Sequence, residues 1–329
     1  MSIRNTLMAA TAALGILSGC ATMKPAEKDS VISFETDLPG EVDPEELKKV
    51  QDETYKTVSE LEAKVGVASD NISSSFVDGN GIQQTFNQNG TPLSAEVHSR
   101  IGRVNNKNYG GAFVNARVIS INDYLGSISG KEVSKKGGSL HLFSAGHEFG
   151  MPMPLALGVD LHGAYGVGFK GKNLDQRYLG NKIAETESLA GLLAELRLKA
   201  KDENGWKDWE ARLHASGFNG FNKVGITLPN GRYFDHWATV SDTELGLSLE
   251  KGVGRYFELG GDVTNRSYKA DDQRVDYLIL AANGKVYPLS RNSPLFAELG
   301  IESFFGKDAT IPTKVESGTS TKLSVGWKY

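Results

Sequence analysis

Alternation of apolar and polar positions dominates this chain from about residue 81 to its end. The clearest stretch runs from Leu155 to Lys170, where every second residue is apolar, aromatic or glycine and the residues between are small or polar. A period of two is typical of a β-strand whose two faces meet different surroundings. Soluble sandwich strands usually have about 5–6 residues, so a stretch of this length favours a strand that crosses a membrane.

The same alternation recurs and predicts an all-β fold, an antiparallel transmembrane β-barrel over residues 71–329. Twelve candidate strands lie at 81–90, 93–103, 111–122, 138–149, 155–170, 192–199, 208–215, 244–250, 257–264, 275–288, 295–302 and 321–329. The even number suits a single-chain bacterial barrel, and ten strands remain compatible with the weaker early segments. A soluble two-layer β-domain, tethered by lipid as a binding lipoprotein, is the alternative fold.

Connections between the candidate strands differ in length. Long polar segments lie near 123–137, 171–187, 219–240 and 306–318, and short ones near 150–154, 201–205, 252–254 and 289–294. The pattern predicts long outer loops on one side of the membrane and short periplasmic turns on the other. Both termini would then lie in the periplasm.

The last strand ends on an aromatic residue preceded by alternating apolar ones. Its outward positions are Leu323, Val325, Trp327 and the terminal Tyr329. This resembles the C-terminal signature of outer-membrane barrels, which implies recognition by the barrel-assembly machinery. The segment 285–300 is also similar to the strand–turn–strand ends of small barrels of the opacity-protein type.

The N-terminus carries a different signal. Arg4 precedes an apolar run from Leu7 to Leu17, as in a signal peptide spanning residues 1–19. The sequence Leu-Ser-Gly-Cys ending at Cys20 resembles the lipobox of bacterial lipoproteins. The resemblance implies processing by the lipoprotein machinery, acylation of Cys20 and, with Ala21 following, sorting to the outer membrane.

Residues 20–42 are polar, which predicts a flexible tether. Residues 43–68 are predicted to form a short amphipathic helix. Asp43 can cap the helix and Pro44 suits its first turn. The predicted apolar stripe consists of Leu47, Thr54, Val58, Leu61 and Val65. A surface helix with solvated charges is the favoured interpretation. A coiled coil through residues 43–65, giving a homo-oligomer, or a helix docked on the barrel, is the alternative.

The two resemblances imply membrane lipid, the lipoprotein-processing machinery and the barrel-assembly machinery as partners, and composition excludes others. The net charge is −4, and no basic stretch is rich in aromatic residues, so nucleic acid is not an expected partner. One cysteine excludes an internal disulfide. The sequence contains no motif for a metal or a cofactor, and we expect neither.

The polar faces of the candidate strands hold charges of both signs. The predicted lumen network consists of His98, Arg100, Asp160, His162, Glu195, Arg197, Glu210 and Arg212. Mixed charges in a barrel interior must pair or meet water. We favour a salt-bridged interior, with a selective pore or a proton-linked site as the alternative.

His214-Ala215-Ser216, with Asn219 following, closes one strand. It resembles the His-x-Ser arrangement of outer-membrane phospholipase A and the outer-membrane lipid A deacylases, which implies a histidine base and a serine nucleophile. The alternation points both side chains inward, whereas those enzymes act at the lipid-facing wall. The favoured function is therefore a non-enzymatic, lipid-anchored outer-membrane barrel with a structural, surface-interaction or permeation role. A lipid hydrolase using His214 and Ser216 is the alternative.

Overall fold

The computed structural model describes residues 56–77, 83–105, 108–128, 131–152, 159–201, 207–291, 293–310 and 314–329. Its strands are β1 (Lys56–Val77), β2 (Gln83–Gly90), β3 (Leu93–Asn105), β4 (Asn108–Ile128), β5 (Lys131–Pro152), β6 (Val159–Tyr178), β7 (Asn181–Lys201), β8 (Lys207–Thr227), β9 (Tyr233–Val253), β10 (Phe257–Ala270), β11 (Gln273–Val286), β12 (Leu295–Asp308) and β13 (Val315–Lys328). Among these residues, no helix is long and apolar enough to cross a membrane.

The strands form one closed antiparallel sheet. Sequential strands are neighbours from β4 to β13, and β13 pairs with β1, with Val65 opposite Val325. The short strands β2 and β3 share one position in the wall, between β1 and β4, and are interrupted at Thr91 and Pro92. Proline has no backbone N–H to give to a ladder, which accounts for the break. The described strands therefore build a twelve-stranded barrel, as the alternation predicted.

The two faces of the wall differ as the alternation requires. Leu192, Leu247 and Leu323 point outward and leave 68 %, 58 % and 54 % of their surfaces exposed. Buried side chains point into the lumen, where two apolar clusters and most of the charges lie. An apolar exterior around a polar interior is the construction of a membrane-spanning barrel.

The predicted helix is wrong over residues 56–68, which belong to strand β1; its part over residues 43–55 lies outside the described residues. Leu61 and Val65 stand four residues apart, a spacing that places side chains together on a helix face and also on a strand face. Glu60, Glu62 and Lys64 alternate with them, which is a strand pattern. Without β1 the edge of β13 would be unpaired inside a membrane, where nothing else satisfies its backbone groups. The barrel thus begins before the predicted residue 71.

The predicted number of strands agrees with the structure only because two differences between the predicted and the observed strands cancel. The candidate strands at 81–90 and 93–103 occupy one wall position, and β1 was missing from the predicted set.

The long polar segments are mostly strand, not loop. Strands β4 to β9 have 20 to 22 residues, whereas β10 to β13 have 14 each. Their distal parts have few outward apolar positions because they extend beyond the apolar band, and the resulting polar sequence resembles that of a loop. The turn between β6 and β7 is only Leu179 and Gly180, both at positive φ, which suits a tight hairpin.

The barrel has two rims, which we name by their distance from the chain ends. The terminal rim is the end where β1 begins and β13 ends, and Leu61 and Tyr329 exchange backbone hydrogen bonds of 3.0 and 2.8 Å there. The distal rim is the opposite end, which carries the β8–β9 turn.

Candidate functional site: the barrel lumen

Ion pairs form a belt inside the lumen toward the terminal rim. The carboxylate of Glu148 on β5 forms ion pairs with Arg100 of β3 and Arg197 of β7, with nitrogen–oxygen distances of 3.0 and 3.6 Å. Arg100 also lies 3.4 Å from Glu60 of β1. Because these residues come from strands that are not all adjacent, the pairs connect the wall across the interior.

The belt continues along β7, β8 and β9. Arg212 lies 3.1 Å from Glu210, 3.8 Å from Glu195 and 3.9 Å from Glu250. Lys199 lies 3.8 Å from Glu210, and Arg197 also contacts Glu195. We call Glu60, Arg100, Glu148, Glu195, Arg197, Lys199, Glu210, Arg212 and Glu250 the terminal belt.

A second charged group lies toward the distal rim. Asp242 is 1 % exposed and accepts hydrogen bonds from Arg266 at 2.8 and 3.0 Å and from Lys170 at 3.0 Å. Lys170 lies on β6 and Asp242 on β9, so this contact spans the positions of β7 and β8 in the wall. Lys170 also donates a hydrogen bond of 3.0 Å to Glu244. The side chains therefore bridge part of the lumen at this level.

Apolar side chains fill the lumen beside this group. Leu189, Phe218 and Val240 form one buried cluster, with the Lys170 ammonium 4.3 Å from the centre of the Phe218 ring. Tyr268 borders the cluster and donates a hydrogen bond of 2.6 Å to Glu187. A second cluster consists of Ile121, Tyr124 and Leu174. These layers narrow the lumen on the distal side.

A cavity of about 450 Å³ lies in the lumen and is lined both by residues of the terminal belt and by the Ile121–Tyr124 cluster. Its charged lining includes Arg117, Lys322, Glu302 and Asp262. In the described chain, neither Arg117 nor Lys322 forms an ion pair, and Nε of Arg117 has no hydrogen-bond acceptor. The described residues contain no group of three or more histidine, cysteine or acidic side chains arranged to hold a metal.

The structure places the predicted lumen residues on the inner face. It joins Arg100, Glu195, Arg197, Glu210 and Arg212 in the terminal belt. The remaining three are elsewhere: His98 contacts Asn115, His162 lies 6.4 Å from the Tyr109 ring, and Asp160 lies two residues before His162 on the same face of β6.

Sequence reasoning missed several charges that hold this interior together. They are Glu60, Glu148, Lys170, Lys199, Asp242 and Arg266. The signal was present, since Glu148 and Lys170 are charged residues on alternating segments. Their partners lie on strands far apart in sequence, and no local pattern indicates those pairings.

His214 and Ser216 face the lumen, as the alternation predicted. His214 Nε2 lies 3.3 Å from the Thr264 hydroxyl, and Nδ1 lies 4.0 Å from Asp262. The Ser216 hydroxyl has no hydrogen-bond partner among the described residues. The histidine thus contacts β10 and not the serine two residues away.

The C-terminal positions Leu323, Val325, Trp327 and Tyr329 face outward, and the Trp327 and Tyr329 rings stack with centres 5.8 Å apart. β13 carries them between β12 and β1. Cys20 lies outside the described residues.

No protein-family model matches the chain, and no curated protein matches it. Among solved structures, it is similar to the β-domain of the Bordetella autotransporter BrkA, with 12 % identity, 82 % of this chain and 99 % of that chain covered, and a TM-score of 0.43. It is similar to the translocator domain of the autotransporter NalP from Neisseria meningitidis, with 11 % identity, 87 % and 94 % covered, and a TM-score of 0.41. The Pseudomonas putida toluene transporter TodX matches with 9 % identity, 82 % and 89 % covered, and a TM-score of 0.38. Likenesses this distant indicate no shared activity.

Proposed function

We propose that this protein is a lipid-anchored β-barrel of the bacterial outer membrane with a mainly structural role. Its lumen is braced by ion pairs and does not form a wide channel. Both termini face the periplasm, where the acylated Cys20 gives a second attachment. The bridged lumen carries this proposal.

The exterior supports insertion in a bilayer. Strands carry about four outward apolar or small positions in succession, as at Phe257, Leu259, Gly261 and Val263. At about 3.3 Å per residue and a tilt of about 40°, that stretch covers roughly 15 Å along the membrane normal, more than half of the apolar band of about 25 Å in outer-membrane barrels. Exposure of so many large apolar side chains to water would drive association.

The interior supports the structural role. An open channel needs a continuous aqueous path, and the terminal belt and the Lys170–Asp242 contact each connect strands that are not neighbours. Cations and carboxylates are mixed throughout, so neither sign gives the interior a uniform field.

Conductance in planar lipid bilayers tests the proposal. We expect the purified full-length protein to show little or no steady conductance. The double variant Arg100→Ala and Arg197→Ala removes two cations of the terminal belt and should raise conductance. Arg274→Ala is the control, since its pair with Asp276 at 2.9 Å lies in the exposed distal region. A large, steady conductance from the wild-type protein would contradict the structural role.

The membrane assignment and the anchor are tested separately. A folded barrel should migrate faster on a gel before boiling than after, and Cys20→Ala should keep that property while losing incorporation of labelled palmitate. If Cys20→Ala protein is soluble without detergent, the barrel does not span a membrane. If wild-type protein takes up no palmitate, the anchor is wrong.

A further inference from the structure

A serine and a histidine are hydrogen-bonded on the outer face of the barrel, on β5. Ser139 Oγ and His141 Nε2 lie 2.9 Å apart. Their neighbours Leu140 and Leu142 pack against the two apolar clusters of the lumen, so the odd-numbered residues here point outward. Phe143, the next residue on that face, is 48 % exposed.

This pair lies at the distal border of the apolar band. Toward the terminal rim, the outward residues of β5 include Phe143, Phe149 and Met151, all exposed. In the adjacent strand, exposed Phe169 lies opposite Phe143, whereas exposed Asn173 lies opposite Ser139. The face therefore changes from apolar to polar at the pair. That border is the level at which the acyl esters of a bilayer meet the headgroups.

We propose that Ser139 and His141 form a site for hydrolysis of ester-linked acyl chains of membrane lipids. A serine hydroxyl is a weak nucleophile that becomes effective when an adjacent histidine takes its proton. A spacing of two residues on one strand places both side chains on the same face. The lipid-facing location supplies the ester directly from the bilayer.

The reaction follows the usual two steps of acyl transfer. Ser139 Oγ attacks the ester carbonyl carbon while His141 takes the hydroxyl proton. The bond between that carbon and the alcohol oxygen breaks, and His141 gives the proton to the departing alcohol. Water from the headgroup region then attacks the acyl-serine with His141 again as base, which releases the fatty acid and restores Ser139.

Two neighbouring features can assist the pair. Asn173 occupies the position diagonal to His141 on β6, where an amide can orient an imidazole. A β-bulge interrupts the β4–β5 ladder between the pairs Ile121–Gly138 and Tyr124–Lys136, beside Ser139. A bulge leaves a residue out of the ladder, and a free backbone N–H is the type of donor that stabilises an oxyanion.

The location distinguishes this pair from His214 and Ser216, which face the lumen and are not hydrogen-bonded to each other in the described structure. Both pairs have a serine and a histidine two residues apart on one strand. The lumen pair therefore provides a matched control.

The test uses full-length protein in mixed micelles, with phosphatidylethanolamine in one arm and lipopolysaccharide in the other, and measures released fatty acid. We expect release in at least one arm, and the active arm identifies the lipid class. Ser139→Ala should reduce release to the background rate, and His141→Ala should reduce it by about 100-fold or more. Ser216→Ala should leave it unchanged.

A fluorophosphonate probe gives a second readout that does not depend on the choice of lipid. Mass spectrometry should locate the label on Ser139 in the wild-type protein and find none in His141→Ala. Heat-modifiable migration checks that each variant is folded. Absence of both label and fatty-acid release in folded wild-type protein would overturn the site, as would loss of activity in Ser216→Ala but not in Ser139→Ala. Neither outcome bears on the proposed structural role of the barrel.

Discussion

Asp242 lies on the lumen face of β9, and its carboxylate accepts hydrogen bonds from both Lys170 and Arg266. Its side chain is 1 % exposed, whereas the two cations are 21 % and 36 % exposed. Removal of the carboxylate would leave the two cations with Glu244 as their shared carboxylate, 3.0 Å from Lys170 and 3.5 Å from Arg266. Because the cations retain some contact with solvent, the loss should be smaller than for a fully buried pair.

We expect Asp242→Ala to reduce the free energy of unfolding by about 1.5–3 kcal/mol, the range for a hydrogen bond to a charged group. Asp235→Ala is the control. Asp235 forms an ion pair with Lys223 at 3.3 Å, and the two side chains are 44 % and 37 % exposed, respectively. That substitution should change the free energy by about 1 kcal/mol or less. Urea titration of both variants in lipid vesicles measures the difference, and equal losses would contradict it.

Asp271 lies in the turn after β10, where its exposed carboxylate accepts hydrogen bonds from the neighbouring strand β9. It accepts from the Thr239 backbone N–H at 2.8 Å, from the Thr239 hydroxyl at 3.1 Å, and lies 3.2 Å from His236. The Thr239 backbone N–H is the largest cause that holds the pKa of this carboxyl below its ordinary value of 3.8. The carboxylate thus caps the point where β9 continues beyond its partner β10.

This lowered pKa predicts a pH dependence at the distal rim. The stabilisation by Asp271 should be fully present above pH 3.8 and be lost as the pH falls through the lower pKa of the folded state. The protection of the Thr239 amide, that is, its hydrogen-exchange rate relative to the intrinsic rate at the same pH, should therefore fall on acidification when measured by NMR in micelles. Asp271→Asn should remove this dependence. An identical acid response in both proteins would show that another group is responsible.

At the scale of the element, β1 decides whether the barrel closes. Its outward residues Ala63, Val65 and Val67 lie beside the outward residues of β13, and its inward Glu60, Glu62 and Lys64 join the lumen charges. Lys64 lies 3.6 Å from Glu298 of β12 and 3.8 Å from Glu96 of β3. The first strand is therefore held by backbone pairing and by charges on both sides.

A disulfide can test this pairing. In a Cys20→Ala background, Val65→Cys with Val325→Cys should form a cross-link, because directly opposed residues in an antiparallel ladder have Cα atoms about 5.5 Å apart. Val67→Cys with Val325→Cys is out of register by two residues, since Val67 lies opposite Leu323. It should cross-link much less, as measured by mass spectrometry of peptides. Equal yields would contradict the register between β1 and β13.

At the scale of the whole molecule, the wall has two zones. A band of outward leucine, valine and phenylalanine surrounds the terminal part. The longer strands β4 to β9 continue beyond it with outward residues that are mostly polar or small. On β9, Leu245, Leu247 and Leu249 belong to the band, and Ser241 lies distal to it. The zones define the depth at which the barrel would lie in a bilayer.

This depth predicts the effect of a charge on the outer face. Leu247→Arg should reduce the free energy of unfolding in lipid vesicles by about 2–4 kcal/mol, the range for arginine near the bilayer midplane. Ser241→Arg, on the same face of the same strand, should reduce it by about 1 kcal/mol or less. Denaturant titration measures both. Similar values for the two variants would contradict a membrane band at Leu247.

The strands with regular alternation were predictable, and those with irregular faces were not. Leu155–Lys170 and 257–264 show one apolar and one polar face throughout, and β6 and β10 contain most of them. The distal halves of β7, β8 and β9 are mostly polar or small outward, with Phe221, Tyr233 and Trp237 exposed among them, and mixed inward, so they resemble loops in sequence. β1 was obscured because Leu61 and Val65 satisfy a helical spacing and a strand spacing together.

The sequence by itself determined those features of the protein that depend on residues close together in the chain. Alternation within a strand is local, so it assigned the barrel class, the outward leucines and the inward position of His214 and Ser216. The expected lipid attachment at Cys20 came from another local signal, the resemblance to a lipobox. Pairing between distant strands is not local, because register depends on how the whole wall closes. Only the tertiary structure therefore decided that β1 completes the barrel, that Glu148 joins Arg100 to Arg197, and that Lys170 reaches Asp242. Although Ser139 and His141 are close in sequence, their outward direction and position at the edge of the apolar band also followed from that closure.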